Sequence, residues 1–156
     1  MQDYRFSPIQ TRKQLLEAIH YVVGQTSALA QKVIGSKFPI TSVTIFAHYQ
    51  NEYDNLVEIQ NKLGVFYNEN NGPRAVLNEP IIAGGNIITH LRIRKPDPER
   101  PHVGCNDFET DYKLFKSKYL LPNLKGLRLI KRPNYEMIEF HNPDFDVLAY
   151  VVSKES

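Results

Sequence analysis

Tryptophan is absent from this 156-residue chain, and cysteine occurs once, as Cys105. A single thiol excludes an internal disulfide and any cysteine-rich zinc module, so stability has to come from a packed core. No stretch approaches the roughly 18 consecutive apolar residues that a membrane span needs. The opening Met1-Gln2-Asp3-Tyr4-Arg5 lacks the apolar core of a signal peptide, which makes a cytoplasmic, reducing environment the expectation. Charge of one sign is also scarce. Nineteen Lys and Arg against seventeen Asp and Glu leave a net charge of +2, too mild for a dedicated nucleic-acid binder. Low-complexity tracts and short repeats are missing.

What is present is a core. At 42% hydrophobic, with eight Phe and nine Tyr, the chain reads as one domain spanning 1–156. Thr11-Arg12-Lys13-Gln14 has the form of a capping box, a hydroxyl followed three residues later by an amide. Apolar residues then recur at helical period from Leu15 to Ile34 and stop at Gly35. The spacing predicts a long N-terminal helix over 11–35, with Gly24 and Thr26 as weak points. Ser42 to Phe46 is a β-branched strand, and Asn51 to Leu63 a second amphipathic helix with Asn51 as N-cap and Gly64 just past its end. Val65 to Asn68 forms a short strand before the turn-rich Asn70-Asn71-Gly72-Pro73. Arg74–Ile82 and Ile87–Arg94 flank Ala83-Gly84-Gly85-Asn86, a hairpin signal that sets Glu79 opposite His90 and Leu77 opposite Arg92. Pro80 places the first of these strands near an edge, or interrupts it.

Three prolines within 96–101 preclude regular structure and mark the best internal boundary. Beyond it come a strand (His102–Phe108), a helix (Asp111–Leu120), a strand (Leu127–Lys131) and a hairpin of Tyr135–His141 with Asp146–Val152. Residues 40–96 and 101–153 thus share one order: strand, helix, three strands. The fold class read from this is α+β, a curved mixed or antiparallel sheet of two βαβββ-like modules with an additional N-terminal helix.

The stretch Asn86–Lys95 carries the chemistry. Side chains alternate on a strand, so Ile87, Thr89, Leu91 and Ile93 form one face, and Ile88, His90, Arg92 and Arg94 the other. Over about 13 Å, at about 3.3 Å per residue, that second face presents an imidazole and two guanidiniums. Beneath a curved sheet such a row would receive an anion, because guanidiniums bind carboxylate or phosphate through paired hydrogen bonds. Arg100 and Lys95 extend the charge, while Asp97, Glu99 and Glu79 offset it. An ordinary solvated basic edge is the plainer alternative. Glu139 and His141 share a face with Tyr135 and Met137 and would serve as acid–base or ligand-contacting groups if that face lined a cavity.

Other constellations are weaker. Cys105 lies within a strand, with neighbouring His102 pointing the other way, so a buried structural cysteine is favoured over a nucleophile. Ser36 and Ser42 have no nucleophile-elbow context. The Ala83–Asn86 loop lacks the lysine and following helix of a phosphate-binding loop. Stacking on nucleic-acid bases by Tyr49, Tyr53, Phe66 and Tyr67 competes with their use as core or hairpin partners. Lys131-Arg132-Pro133-Asn134-Tyr135-Glu136 is an ordinary turn with charged flanks, whose basic residues could extend the cationic surface although nothing in the spacing demands it.

Ile40–Ile45, Pro101–Phe108 followed by the Tyr112, Leu114, Phe115 helix, and Ile138–Leu148 with its strand–Asn142-Pro143-Asp144–strand ending together resemble the vicinal oxygen chelate superfamily. These are the glyoxalase and bleomycin-resistance type proteins of paired βαβββ modules. The resemblance covers about two thirds of the chain and leaves the N-terminal helix unexplained. It implies metal ligands on the first and last strands of each module. Here those positions offer Ser42, His90 and His102, with Ala149 where a glutamate would be expected, so His90 and His102 are the metal candidates. His48, Glu139 and His141 join them only in a different register. Two ligands fall short of the three or more that a stable divalent site wants. No cofactor is expected from the residues themselves.

The expected function is therefore a small-molecule-binding protein of glyoxalase-like fold. Its cationic pocket for a small anionic ligand would be built from His90, Arg92, Arg94 and His102, with Glu79, Glu139 and His141 nearby. The alternatives are a metal-dependent lyase or isomerase of the vicinal oxygen chelate type, and a non-catalytic interaction module assembling through the long helix. Neither nucleic acid nor membrane is an expected partner, and a homodimer is expected only by analogy.

Overall fold

A computed structural model of the chain describes residues 4–68, 73–122 and 124–153. The turn read at Asn70–Gly72 lies outside them. Helix α1 (Arg12–Ile34) starts at the capping box: Gln14 N donates to Thr11 Oγ1, and the Gln14 amide oxygen accepts from Thr11 N, both at 3.2 Å. It passes Gly24 unbroken and ends at Gly35, whose φ of 70° takes the left-handed conformation that a side chain disfavours. Leu15, Ile19, Val22, Val23 and Leu29 on its apolar stripe are all buried. The helix packs on the sheet, and that stripe is consumed by the core, not offered to a partner.

The remaining elements in chain order are β1 (Ser42–Phe46), α2 (Gln50–Leu63), β2 (Gly64–Asn68), β3 (Arg74–Ala83), β4 (Asn86–Arg94), β5 (Gly104–Asp107), α3 (Tyr112–Tyr119), β6 (Leu127–Lys131), β7 (Glu136–Phe140) and β8 (Val147–Val152). The eight strands form one mixed sheet in the order β2-β3-β4-β1-β5-β8-β7-β6. β1 runs parallel to β4 and β5 parallel to β8, while the other neighbouring pairs are antiparallel. The fold is thus α+β. Helices and the main core cover one face, where Ile45, Leu91, Ile93, Ile138, Phe140, Ala149 and Val151 are buried. The opposite face carries a smaller apolar cluster of Phe46, Cys105, Leu148 and Tyr150.

Local chemistry moves several boundaries from their sequence positions. α2 begins one residue before Asn51, with Tyr49 at the N-cap and no side-chain cap. Gly64 is extended at φ −166° and opens β2, instead of closing the helix in a left-handed turn. Its backbone lies so close to the Val76 carbonyl that a Cβ would overlap it.

The β3–β4 hairpin turns at Gly84-Gly85 as expected, pairing Ala83 with Asn86 and Ile81 with Ile88. The register then shifts, so that Val76 faces His90 and Arg74 faces Arg92. Five residues of β3 separate Ile81 from Val76 where β4 advances only two, from Ile88 to His90. Pro80 explains this bulge, since it has no N–H to give the ladder. Glu79 is consequently exposed and does not oppose His90. β4 slips as well. Thr89 N and His90 N both donate to the Thr41 carbonyl, and Ile88 is buried in the core while Ile87 is 56% exposed. From His90 onward the alternation matches the expected faces.

Candidate functional site

Parallel pairing sets Ser42 beside His90, Thr44 beside Arg92 and Phe46 beside Arg94 on the face away from the helices. On the other flank, Arg74 on β3 stands directly opposite Arg92. Thr44 in turn neighbours Cys105, and Asp107 neighbours Tyr150. All of these side chains except Phe46 open into one cavity of about 720 Å³. Tyr67 on β2 and Met137 on β7 both line it. In a flat sheet six inter-strand steps of about 4.8 Å would hold those strands about 29 Å apart. The sheet therefore curls, and Arg132, Pro133 and Tyr135 of the β6–β7 turn complete the rim.

Five arginines line the cavity: Arg74, Arg92, Arg94, Arg100 and Arg132, together with His90. Among the described residues, its carboxylates are Asp107 and Glu109. Like charges directly opposite on neighbouring strands are destabilising. The Arg92 guanidinium shows the strain: burial lowers its pKa first, and the adjacent Arg74 lowers it further. Arg74 Nε is buried and makes no hydrogen bond. Arg94 lies over the Phe46 ring, 5.6 Å from its centroid, and Tyr67 meets the His90 ring edge-on at 5.7 Å. His90 Nδ1 and Thr89 Oγ1 share a hydrogen bond of 2.7 Å.

Asp107 is exposed to the cavity, yet the surrounding walls remove much of the bulk water that would stabilise its charge. Desolvation therefore lifts its pKa to about 6, against the opposing pull of Arg74 and Arg92. Burial likewise raises the Cys105 thiol to about 11, so it stays protonated at neutral pH and is no nucleophile.

The far wall is organised by Glu139. Its carboxylate is 1% exposed and accepts hydrogen bonds from Arg128 Nη2 at 2.5 Å and from the Tyr150 hydroxyl at 2.9 Å. Arg100 Nη1 donates to Tyr150 Oη at 2.9 Å and lies 3.9 Å from Glu139. Burial raises the Tyr150 pKa, so its hydroxyl remains a donor. Glu139 is thus already partnered on both oxygens.

The structure brings His90, Arg92 and Arg94 together in the cavity. Glu79 and His141 are exposed and do not line it. His102 precedes β5 in a bend, its ring edge-on to Phe46 at 6.5 Å with Nδ1 buried and unbonded, and it is not among the lining residues. His48 is held elsewhere: its ring stacks on Tyr4 at 4.0 Å, Nδ1 bonds Ser7 Oγ at 2.6 Å, and Nε2 bonds the His102 carbonyl at 2.9 Å. Burial lowers the pKa of both His48 and His102. Sequence reasoning missed Arg74, because its place beside Arg92 depends on the bulge at Pro80. It missed Asp107 too, although strand alternation from Cys105 puts both on one face.

No family model matches the chain, and no curated protein matches it. Among solved structures, a structural-genomics protein designated EC4020 superposes with a TM-score of 0.61 at 12% identity, over 97% of this chain and 92% of that chain. At that identity the likeness is one of fold alone.

Proposed function

We propose that this protein binds a small anionic ligand in the cavity, in a scaffold of two βαβββ modules of glyoxalase-like type. The single observation that carries the reading is the Arg74–Arg92 pair, two guanidiniums opposed on neighbouring strands and lining the same space as Arg94 and His90. A carboxylate or phosphate between the guanidiniums turns their repulsion into charge-assisted hydrogen bonds. The strand order supports the modular reading. In each half the first strand lies parallel to the last, and the halves meet through β1 and β5.

A metal-dependent lyase or isomerase fits the residues less well. On the strands where the resemblance implies ligands, the cavity face carries Ser42, Thr44, His90, Arg92, Cys105, Asp107 and Tyr150. Ala149 is buried on the helix side. A divalent cation beside His90 would have Arg74 and Arg92 as neighbours, which repel it. The donor set does not suit the ion, and no step is built on one.

Thermal melts of the full chain with phosphate, acetate or benzoate, against chloride at matched ionic strength, test the reading. A ligand present at 100 times its Kd should stabilise the wild type by about 2.7 kcal/mol. Arg92→Met should lose that gain while keeping a cooperative unliganded melt. Equal stabilisation of wild type and variant would refute the proposal.

A further inference from the structure

One wall of the cavity is cationic, and the opposite one carries an apolar strip. Arg74, His90, Arg92 and Arg94 stand on β3 and β4, and the Ser42 and Thr44 hydroxyls stand beside them on β1. Met137 and Val152 stand opposite on β7 and β8, backed by the apolar cluster of Phe46, Cys105, Leu148 and Tyr150, while Arg100, bonded to the Tyr150 hydroxyl, and Arg132 of the β6–β7 turn also line this side. Between the walls is the Asp107 carboxyl, close enough to Arg74 and Arg92 to be pulled by both. We infer that the ligand is an organic acid with an anionic head on an apolar body, the head held by Arg74 and Arg92 and the body laid along Met137 and Val152. This rests on the anion-binding reading above.

Two observations select this class. The space, about 720 Å³, is of the size that takes drug-like molecules, and a bare inorganic anion would leave most of it empty. An apolar wall facing a cationic one is useful only to a ligand that is itself two-sided, since water gains nothing from Met137 and Val152.

The test is calorimetric titration of the full chain with acetate, butyrate, hexanoate and 3-phenylpropionate, with 3-phenylpropanol and inorganic phosphate alongside. Affinity should rise about fourfold for each methylene laid on the apolar wall. 3-Phenylpropionate should bind tightest, and 3-phenylpropanol, lacking the head, should not bind. Met137→Gln and Val152→Thr, both half-buried positions, should flatten the chain-length dependence. If acetate or phosphate binds as tightly as hexanoate, the two-sided ligand is wrong and the anion site survives. If no anion in the series binds, the anion site itself is wrong and this inference goes with it.

Discussion

Asp107 carries the clearest pH signature. Its carboxyl is lifted from an ordinary 3.8 to about 6 because the cavity walls desolvate it. The folded state therefore holds this proton more tightly than the unfolded chain does. Between those two values the unfolded state binds fewer protons, so this group makes stability fall as pH rises, and its contribution is level above about 6. His48 and His102 act in the opposite sense, since burial lowers their pKa and favours the neutral ring. Comparison with Asp107→Asn isolates the carboxyl. The variant should melt above wild type at pH 7, and the gap should close on titration to below pH 4, followed by circular dichroism across that range. A gap independent of pH would mean that Asp107 is not held protonated by the fold. None of this was readable in advance, because an aspartate alternating with Cys105 looks like any polar strand residue until walls stand around it.

Two glycines separate local from tertiary constraint. Gly24 lies exposed within α1, and a Cβ there would meet nothing within 4 Å. Alanine restricts the unfolded backbone and favours helix, so Gly24→Ala should stabilise by about 0.5–1 kcal/mol. Gly104 opens β5 at the junction with β1, where a Cβ would overlap the Thr44 carbonyl oxygen and press on Val22 at 3.2 Å. Gly104→Ala should destabilise by about 3 kcal/mol, the upper end of the usual cost of overpacking. Urea unfolding of both variants checks the opposite signs, and a tolerated Gly104→Ala would mean that the β1–β5 joint can open. Helices and most strands were legible because periodicity and caps act locally: Thr11 with Gln14 at the start of α1, and Gly35 at its end. Register was not. Pro80 signalled an interruption, but the three-residue shift that pairs Arg74 with Arg92 depends on what β2 and β1 accept on either side.

α1 touches β1, β3, β5, β7 and β8, so one helix is packed on strands from both ends of the chain order. Removing either half would expose that helix's buried stripe. Unfolding should accordingly be a single transition, with far-ultraviolet dichroism and tyrosine fluorescence coincident in denaturant; separated midpoints would show that the halves unfold independently. Alternation along one strand was enough to group His90, Arg92 and Arg94, because side-chain direction in a strand has a period of two and needs no partner. Which way that face looked was another matter. A charged row is the same sequence whether it meets bulk water or the wall of a cavity. Only the curling of eight strands, which brings Tyr67 and Met137 to one space, enclosed it and placed Arg74 and Asp107 beside it. Local chemistry writes the elements, whereas charge opposed across a sheet is a consequence of closure between residues distant in the chain.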